Sequence, residues 1–383
     1  MDWVSVPPTT SFQASYKRSL ASAPAVIEPE QAPPVTSKPA RIMGIDMARG
    51  LAMAGMVIVH FVSLFEEQES PLSTLANLFD GRAMPLFMLL GGIGVTLLTR
   101  RSTMPERDLL IRAVMLYALG FFLTEHIDRL AIILQAYGLF FVLATVLYRL
   151  PSKALLALVP IITAIGAVTF QTVGNAPALS TFDEAFTVNG IESLVFDGFY
   201  PLFPVGAFFV FGIWLGRIDL RSERIAAMLF SIGTAVGLGA PFVVNRFVER
   251  FDVQTDFGGR RGNGMFELTR LLDGQGHSQM PLWVVSALAT SAAALGLSLL
   301  IAPRFERAVR PLGAVGSISL TFYVYQAWLT NIVPDTDQTS IGVEWLIAIA
   351  VYVSGIAFAL VWKMAFTSGP LERILRIGSG PKK

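Results

Sequence analysis

Windows of roughly twenty apolar residues recur along most of this chain, and nothing else in it narrows the possible folds as much. A segment that long and that apolar crosses a bilayer as an α-helix. In hydrocarbon, every backbone N–H and C=O must find its partner within the segment itself. The windows predict helices near residues 43–65, 78–99, 110–125, 128–149, 153–172, 198–216, 225–245, 281–302, 313–332 and 342–363. The overall balance agrees, since 53% of residues are hydrophobic and only 15% are charged, too apolar for a soluble domain of 383 residues. The expected class is therefore all-α: a polytopic integral membrane protein of about ten transmembrane helices, lodged in the cell membrane.

Charge placement orients the helices. With the N-terminus cytoplasmic, the loop after the second helix holds Arg100, Arg101, Arg107 and Arg112 on the inner side. The segments that would lie outside carry few cations beyond those of one long loop, where the positive-inside bias is weak. An even helix count then puts both termini in the cytoplasm. Residues 1–40 are rich in Pro, Ala, Ser and Thr and lack an apolar period, so they read as a disordered cytoplasmic tail. No apolar core follows the Lys17–Arg18 pair, which argues against a signal peptide. The transmembrane domain spans 41–366, with long outer loops at 173–197 and 246–280, and a basic cytoplasmic tail occupies 367–383. Within the second loop, FELTRLL has the pattern of a short interfacial helix.

The first helix carries the most informative polar residues. Arg49 and His60 sit eleven positions apart in an otherwise apolar run. That spacing is ~16 Å along a helix and only ~20° around it, so both project from one face. Ionisable groups at membrane depth are expensive and normally face a bundle interior or a watered cavity. Two readings stay open: stations on one polar path, or an arginine that snorkels to the interface plus a hydrogen-bonded core histidine. Asp46, one turn before Arg49, is within ion-pair reach of it.

Other groups divide similarly between function and structure. Asp80 and Arg82 open the second helix as either site residues or capping and anchoring groups. His126 and Asp128 lie in the tight turn Glu125–Arg129, which reads equally as a second outer site or a hydrated connector. Tyr323 and Gln326 share a helical face with Ser319, positioned for a cavity or for interhelical hydrogen bonds. His277 falls in a Gly-rich loop and carries no catalytic expectation. Gly91, Gly92 and Gly94 suit close helix packing. The chain has no cysteine, which removes disulfides, thiolate-bound zinc and an acyl-cysteine intermediate. Three histidines without clustered carboxylates give no metal-site spacing, and a net charge of +1 gives no basis for nucleic-acid binding.

Arg49 and His60 with Asp46 before them, followed by DGRAMPLFMLLGGIGVTLLTRR, resemble the transmembrane acyltransferase superfamily and its acyltransferase-3 members. IDMARGLAMAGMVIV, RAVMLYALGFFLTEHIDRLAIILQAYGLFFVLA and GAVGSISLTFYVYQAWL are similar, in order, to segments of bacterial YeiB-like membrane proteins. Those proteins are relatives of heparan-α-glucosaminide N-acetyltransferase. His60 stands where YeiB-like members usually have Asn, and Phe322 where their late motif has Asn. The resemblance implies transfer of an acyl group, often acetyl, from cytoplasmic acyl-CoA to a hydroxyl or amine on the outer side. It implies acyl-CoA as co-substrate rather than a resident cofactor, and a glycan, glycolipid or small metabolite as acceptor. In that scheme His60 is the general base. Arg49 would bind the phosphate or thioester region of the donor, with Asp46 holding it in place, and the four arginines after the second helix are the cationic mouth for the CoA phosphates. The rival expectation is a proton-coupled transporter or exporter using Arg49 and His60 as a relay. The sequence leaves acyl chain, acceptor and oligomeric state open.

Overall fold

A computed structural model describes residues 41–64, 70–173, 193–197, 199–253, 266–333 and 340–377. The expected N-terminal tail, most of the first outer loop and the centre of the second lie outside the described residues.

Helices follow one another throughout: α1 (Met43–Phe61), α2 (Pro71–Asn77), α3 (Ala83–Thr99), α4 (Pro105–Thr124), α5 (Leu134–Leu147), α6 (Ser152–Thr172) and α7 (Leu202–Leu215). Then come α8 (Glu223–Phe251), α9 (Pro281–Arg304), α10 (Glu306–Ser317), α11 (Ser319–Ile332), α12 (Ile341–Ala365) and α13 (Pro370–Ile377). Five of them, α1, α6, α8, α9 and α12, are long and apolar enough to cross a membrane; α3, α5 and α7 are apolar but shorter. α8 and α12 bury little of their length and expose Leu238, Phe242 and Val243, and Leu346, Val353 and Val361. In water such surfaces would be aggregation sites, whereas in hydrocarbon they are ordinary lipid-facing walls. The chain is a membrane protein.

Each expected window contains a helix, and one window is divided. α2 is a short helix that the windows do not include, just before the second of them, held by a capping box: Ser73 N donates to Ser70 Oγ at 3.0 Å, and Ser70 N to Ser73 Oγ at 2.9 Å. A turn through Gly81, at φ 62°, then separates it from α3. The ninth window breaks at Ile318 (φ −122°, ψ 34°) into α10 and α11. Glu372 makes the break tolerable. Its carboxylate accepts from Leu320 N (2.8 Å), Thr321 N (3.2 Å) and Thr321 Oγ1 (2.6 Å), capping the new helix start from α13. The tail after residue 366 thus begins as a docked helix. FELTRLL yields a 3-10 turn, Thr269–Leu272, with Arg270 buried.

α1 lies at the centre, packed against α3, α9, α10, α11 and α12. Its N-terminal half is close-fitted. A Cβ on Gly316 of α10 would run into the Asp46 carbonyl, and one on Gly50 into the Leu312 carbonyl, so only glycine permits this crossing. Gly92 and Gly212 do the same for α3 against α7. The glycine-rich run in α3 serves packing, as its spacing predicts.

Candidate functional site

The last turn of α1 carries His60 into a pocket of about 350 Å³, counting the part open to solvent. Met56 and Val59 line it from the same helix. Phe79, Gly81, Ala83 and Met84 come from the turn into α3, and Ile133, Tyr200, His277 and Tyr323 from elsewhere in the chain. His60 is half-buried, and its Nδ1 is shielded from solvent with no hydrogen-bond partner. Gln326, one turn beyond Tyr323 on α11, lies beside the imidazole. It is 0% exposed, yet neither of its amide atoms makes a hydrogen bond of normal geometry. Unpartnered buried polar groups cost roughly 1–3 kcal/mol each. His60 and Gln326 lie within reach of one another, so the amide is the polar neighbour of the ring. The Tyr323 hydroxyl accepts from Ile133 N at 3.3 Å, which joins α11 to the segment before α5.

Arg49 belongs to a different neighbourhood. Its Nη1 lies 3.7 Å from Asp46 Oδ1, the pairing expected one helical turn apart. Its guanidinium rests against Gly94 of α3 and is near Tyr137, whose hydroxyl donates to Phe87 O at 2.6 Å. Between Arg49 and His60 on the same stripe stand Met53 and Met56, both buried. The pocket lining includes Met56 but not Arg49. The shared face is real; the stretch between its two polar ends is filled by methionine side chains.

The arginines after α3 do not form one cluster. Arg100 donates to Arg217 O at 3.1 Å. Arg217 in turn donates to Tyr148 O (2.8 Å) and Leu150 O (2.7 Å), closing the end of α5. Arg101 and Arg107 are exposed, and Arg107 reaches Met104 Sδ at 3.9 Å. Arg112 is partly buried between Asp108 and Arg376 of α13, with its Nε unpartnered. Nearby, Glu106 accepts from both Tyr148 and Arg149. The Tyr148 hydroxyl, then Arg149, hold its carboxyl down at about 2.

Asp80 sits in the turn before α3, its carboxylate against Gly276; it does not cap the helix, whose N-terminus has no side-chain cap. Arg82 points toward α9, donating to Ser286 Oγ (2.6 Å) and Thr290 Oγ1 (3.2 Å). His126 and Asp128 are exposed and outside the pocket. His126 stacks on Phe122, with ring centroids 4.4 Å apart, while Arg129 caps α11 through Thr330 O and Val333 O, both at 2.9 Å.

Two residues carried no expectation and prove central. His277 enters the pocket from the loop before α9. Glu344, 1% exposed in the first turn of α12, accepts from Ser63 N (2.7 Å) and Ser63 Oγ (2.8 Å), fastening the chain three residues after His60. A charged residue inside an apolar window was the available signal for Glu344. For His277 there was none, because a loop has no period to break.

Taken together, the described residues form a helical membrane protein whose central helix delivers an imidazole into a small aromatic pocket. Residues 41–240, just over half of the chain, match the family model described as heparan-alpha-glucosaminide N-acetyltransferase, catalytic. The chain belongs to that family. Residues 267–380 also match a family described as a protein of unknown function (DUF418), in line with the YeiB-like resemblance. No curated protein matches the chain. The pocket draws on both matched segments: His60, Phe79 and Ile133 from the first, His277 and Tyr323 from the second.

Proposed function

We propose that this protein transfers an acyl group, acetyl by family, from cytoplasmic acyl-CoA to a hydroxyl or amine of an acceptor on the outer side, with His60 as general base. The observation that carries the reading is the pocket itself. It holds an imidazole at the pocket surface, beside a buried amide that can orient it, inside a chain of acetyltransferase family.

The chemistry follows from the groups present. Neutral His60 takes the proton as the acceptor oxygen or nitrogen attacks the thioester carbonyl. The new bond forms, the carbon–sulfur bond breaks, and the thiolate leaves as CoA, taking the proton back from the imidazolium. Such base catalysis is worth typically ~10²–10⁴-fold. Gln326 is placed to hold the ring in orientation. The donor's charged end belongs at the arginine-rich end of the bundle, with Arg49 the innermost cation. Met53 and Met56 fill the route between, and unbranched methionines can part for a slender pantetheine arm.

The test is release of free CoA by purified protein given acetyl-CoA and candidate acceptors, read with a thiol reagent. The absence of cysteine removes any protein background. Acceptor-dependent CoA release that disappears in His60→Ala supports the reading; no release with any acceptor, or release unchanged in His60→Ala, overturns it. A transporter would bind cargo without releasing CoA. Reporter fusions after residues 110 and 250 check the sidedness, with inside and outside expected respectively.

A further inference from the structure

Where α13 docks beside the first turns of α4, two guanidinium groups come together. Arg112 of α4 is partly buried, and the charge of Arg376 on α13 lies next to it. Neither arginine forms an ion pair among the described residues. The carboxylates within a turn of them are engaged elsewhere. Asp108 Oδ2 accepts from Ser102 Oγ at 2.7 Å, and Glu372 accepts from Leu320 N, Thr321 N and Thr321 Oγ1 of α11. Arg376 Nη1 donates to Ser368 Oγ, a neutral partner, at 3.3 Å, and Arg112 Nε has no hydrogen-bond partner. Two like charges held together at a partly dry site oppose folding, and an anion placed between them offsets that repulsion.

We infer that Arg112 and Arg376 bind the phosphate of an anionic phospholipid between them. Guanidinium is the side chain best suited to phosphate, because its planar N–H fork matches two oxygens at once. The surface beside the pair points to lipid rather than to a dissolved phosphate. Around α13, the arc from Arg376 through Arg373 to Ile377 and Ile374 is exposed, cations passing into apolar side chains, while Leu375 turns inward. A helix of that pattern lies at the boundary between headgroups and acyl chains. Lys382 and Lys383 follow within six residues of Ile377, with no acidic residue between, and add attraction to the same anionic leaflet. A phosphate at the arginines with acyl chains along Ile374 and Ile377 suits both parts of this surface. Neither arginine lines the His60 pocket, so lipid binding here is independent of acyl transfer.

Full-length protein in a neutral detergent is titrated with phosphatidylglycerol or with phosphatidylcholine, whose phosphate is offset by its own choline cation. Bound lipid is counted by native mass spectrometry. Phosphatidylglycerol should be retained in preference to phosphatidylcholine, and Arg112→Gln or Arg376→Gln should each weaken its binding by about tenfold or more. Arg112→Lys keeps the charge without the fork and should fall between wild type and Arg112→Gln. Arg310→Gln, which removes an exposed arginine from α10, should bind like wild type. Without lipid, Arg376→Gln should melt no lower than wild type, since it relieves a repulsion between like charges. Equal retention of the two lipids, an equal loss in Arg310→Gln, or a lowered melting temperature in lipid-free Arg376→Gln would each overturn the site. Displacement of the lipid by an equal concentration of inorganic phosphate or of CoA would assign the pair to a soluble phosphate and overturn it too.

Discussion

The two ends of α1 are built on opposite plans. At the Arg49 end the helix is clamped: glycines let α10 touch its backbone, Asp46 pairs with Arg49, and the Tyr352 hydroxyl donates to Gly50 O at 2.8 Å. At the His60 end the helix borders empty space, and polar atoms go without partners. One end is filled and satisfied, the other is open and unsatisfied, within a single helix of 19 residues. Rigidity at one end is what allows the other to hold a reactive group in place without packing around it.

That contrast can be broken most directly at His60. His60→Ala should cut acyl transfer by ~10²–10⁴-fold, leaving expression and melting temperature nearly unchanged, because the ring borders a void. His126→Ala should leave the rate at wild type. Comparable losses in both would dissolve the distinction between the pocket histidine and an exposed one.

At the clamped end, the question is whether Arg49 touches donor or only anchors the helix. A bidentate guanidinium contact in a partly dry cavity is worth about one to three decades in affinity. Arg49→Lys should therefore bind acetyl-CoA almost as poorly as Arg49→Ala, measured by titration in detergent. Wild-type affinity in the lysine variant would return Arg49 to a structural role.

Packing should respond in the reverse sense. Gly316→Ala forces a methyl onto the Asp46 carbonyl and should destabilise by ~1–3 kcal/mol or more, read as a lowered unfolding midpoint. Met84→Ala, which widens an existing pocket, should cost less than a fully buried methionine would, ~2–5 kcal/mol, and is compared in the same assay. Away from α1, Glu372→Ala should cost ~0.5–2 kcal/mol by uncapping α11.

The smallest effect concerns pH. Glu106 has its carboxyl held at about 2 in the folded protein, below its ordinary value of 4.5. A depressed carboxyl contributes stability that is present above the unfolded value and is lost as pH falls toward the folded one. The pair is exposed and the contribution correspondingly small. Melting temperatures between pH 5 and pH 2 should fall slightly less in Glu106→Gln than in wild type; parallel curves would mean the contacts with Tyr148 and Arg149 contribute nothing to stability.

Most of the helices, the Asp46–Arg49 pair and the packing role of the α3 glycines were legible in the sequence. Each depends on residues near one another in the chain, so spacing alone reveals it. The break at Ile318 was not legible, because the carboxylate that caps the exposed N–H groups arrives from Glu372, about fifty positions later. Glu344 fastening Ser63 spans a far longer separation. His277 depends on two left-handed residues and on hydrogen bonds to Phe199 and Gly81, none of which leaves a periodic trace. Tyr323 and Gln326 were recognised as sharing a face, but which cavity that face borders is set by α1.

The central position of α1 also sets a schedule. It is the first described helix to be synthesised, yet α10, α11 and α12, which enclose it, lie in the last third of the chain. At ~5–20 residues per second, the gap of roughly 245 residues from α1 to α10 takes about 12–50 s of translation. Throughout that wait the helix has no Gly316 against its backbone and no Glu344 beyond its end. The carboxylate of Asp46 and the guanidinium of Arg49 are one turn apart on α1 itself, so their pairing needs no later partner. The nascent helix brings its own counter-ion into the membrane, and the interface that later closes on it receives a neutral pair.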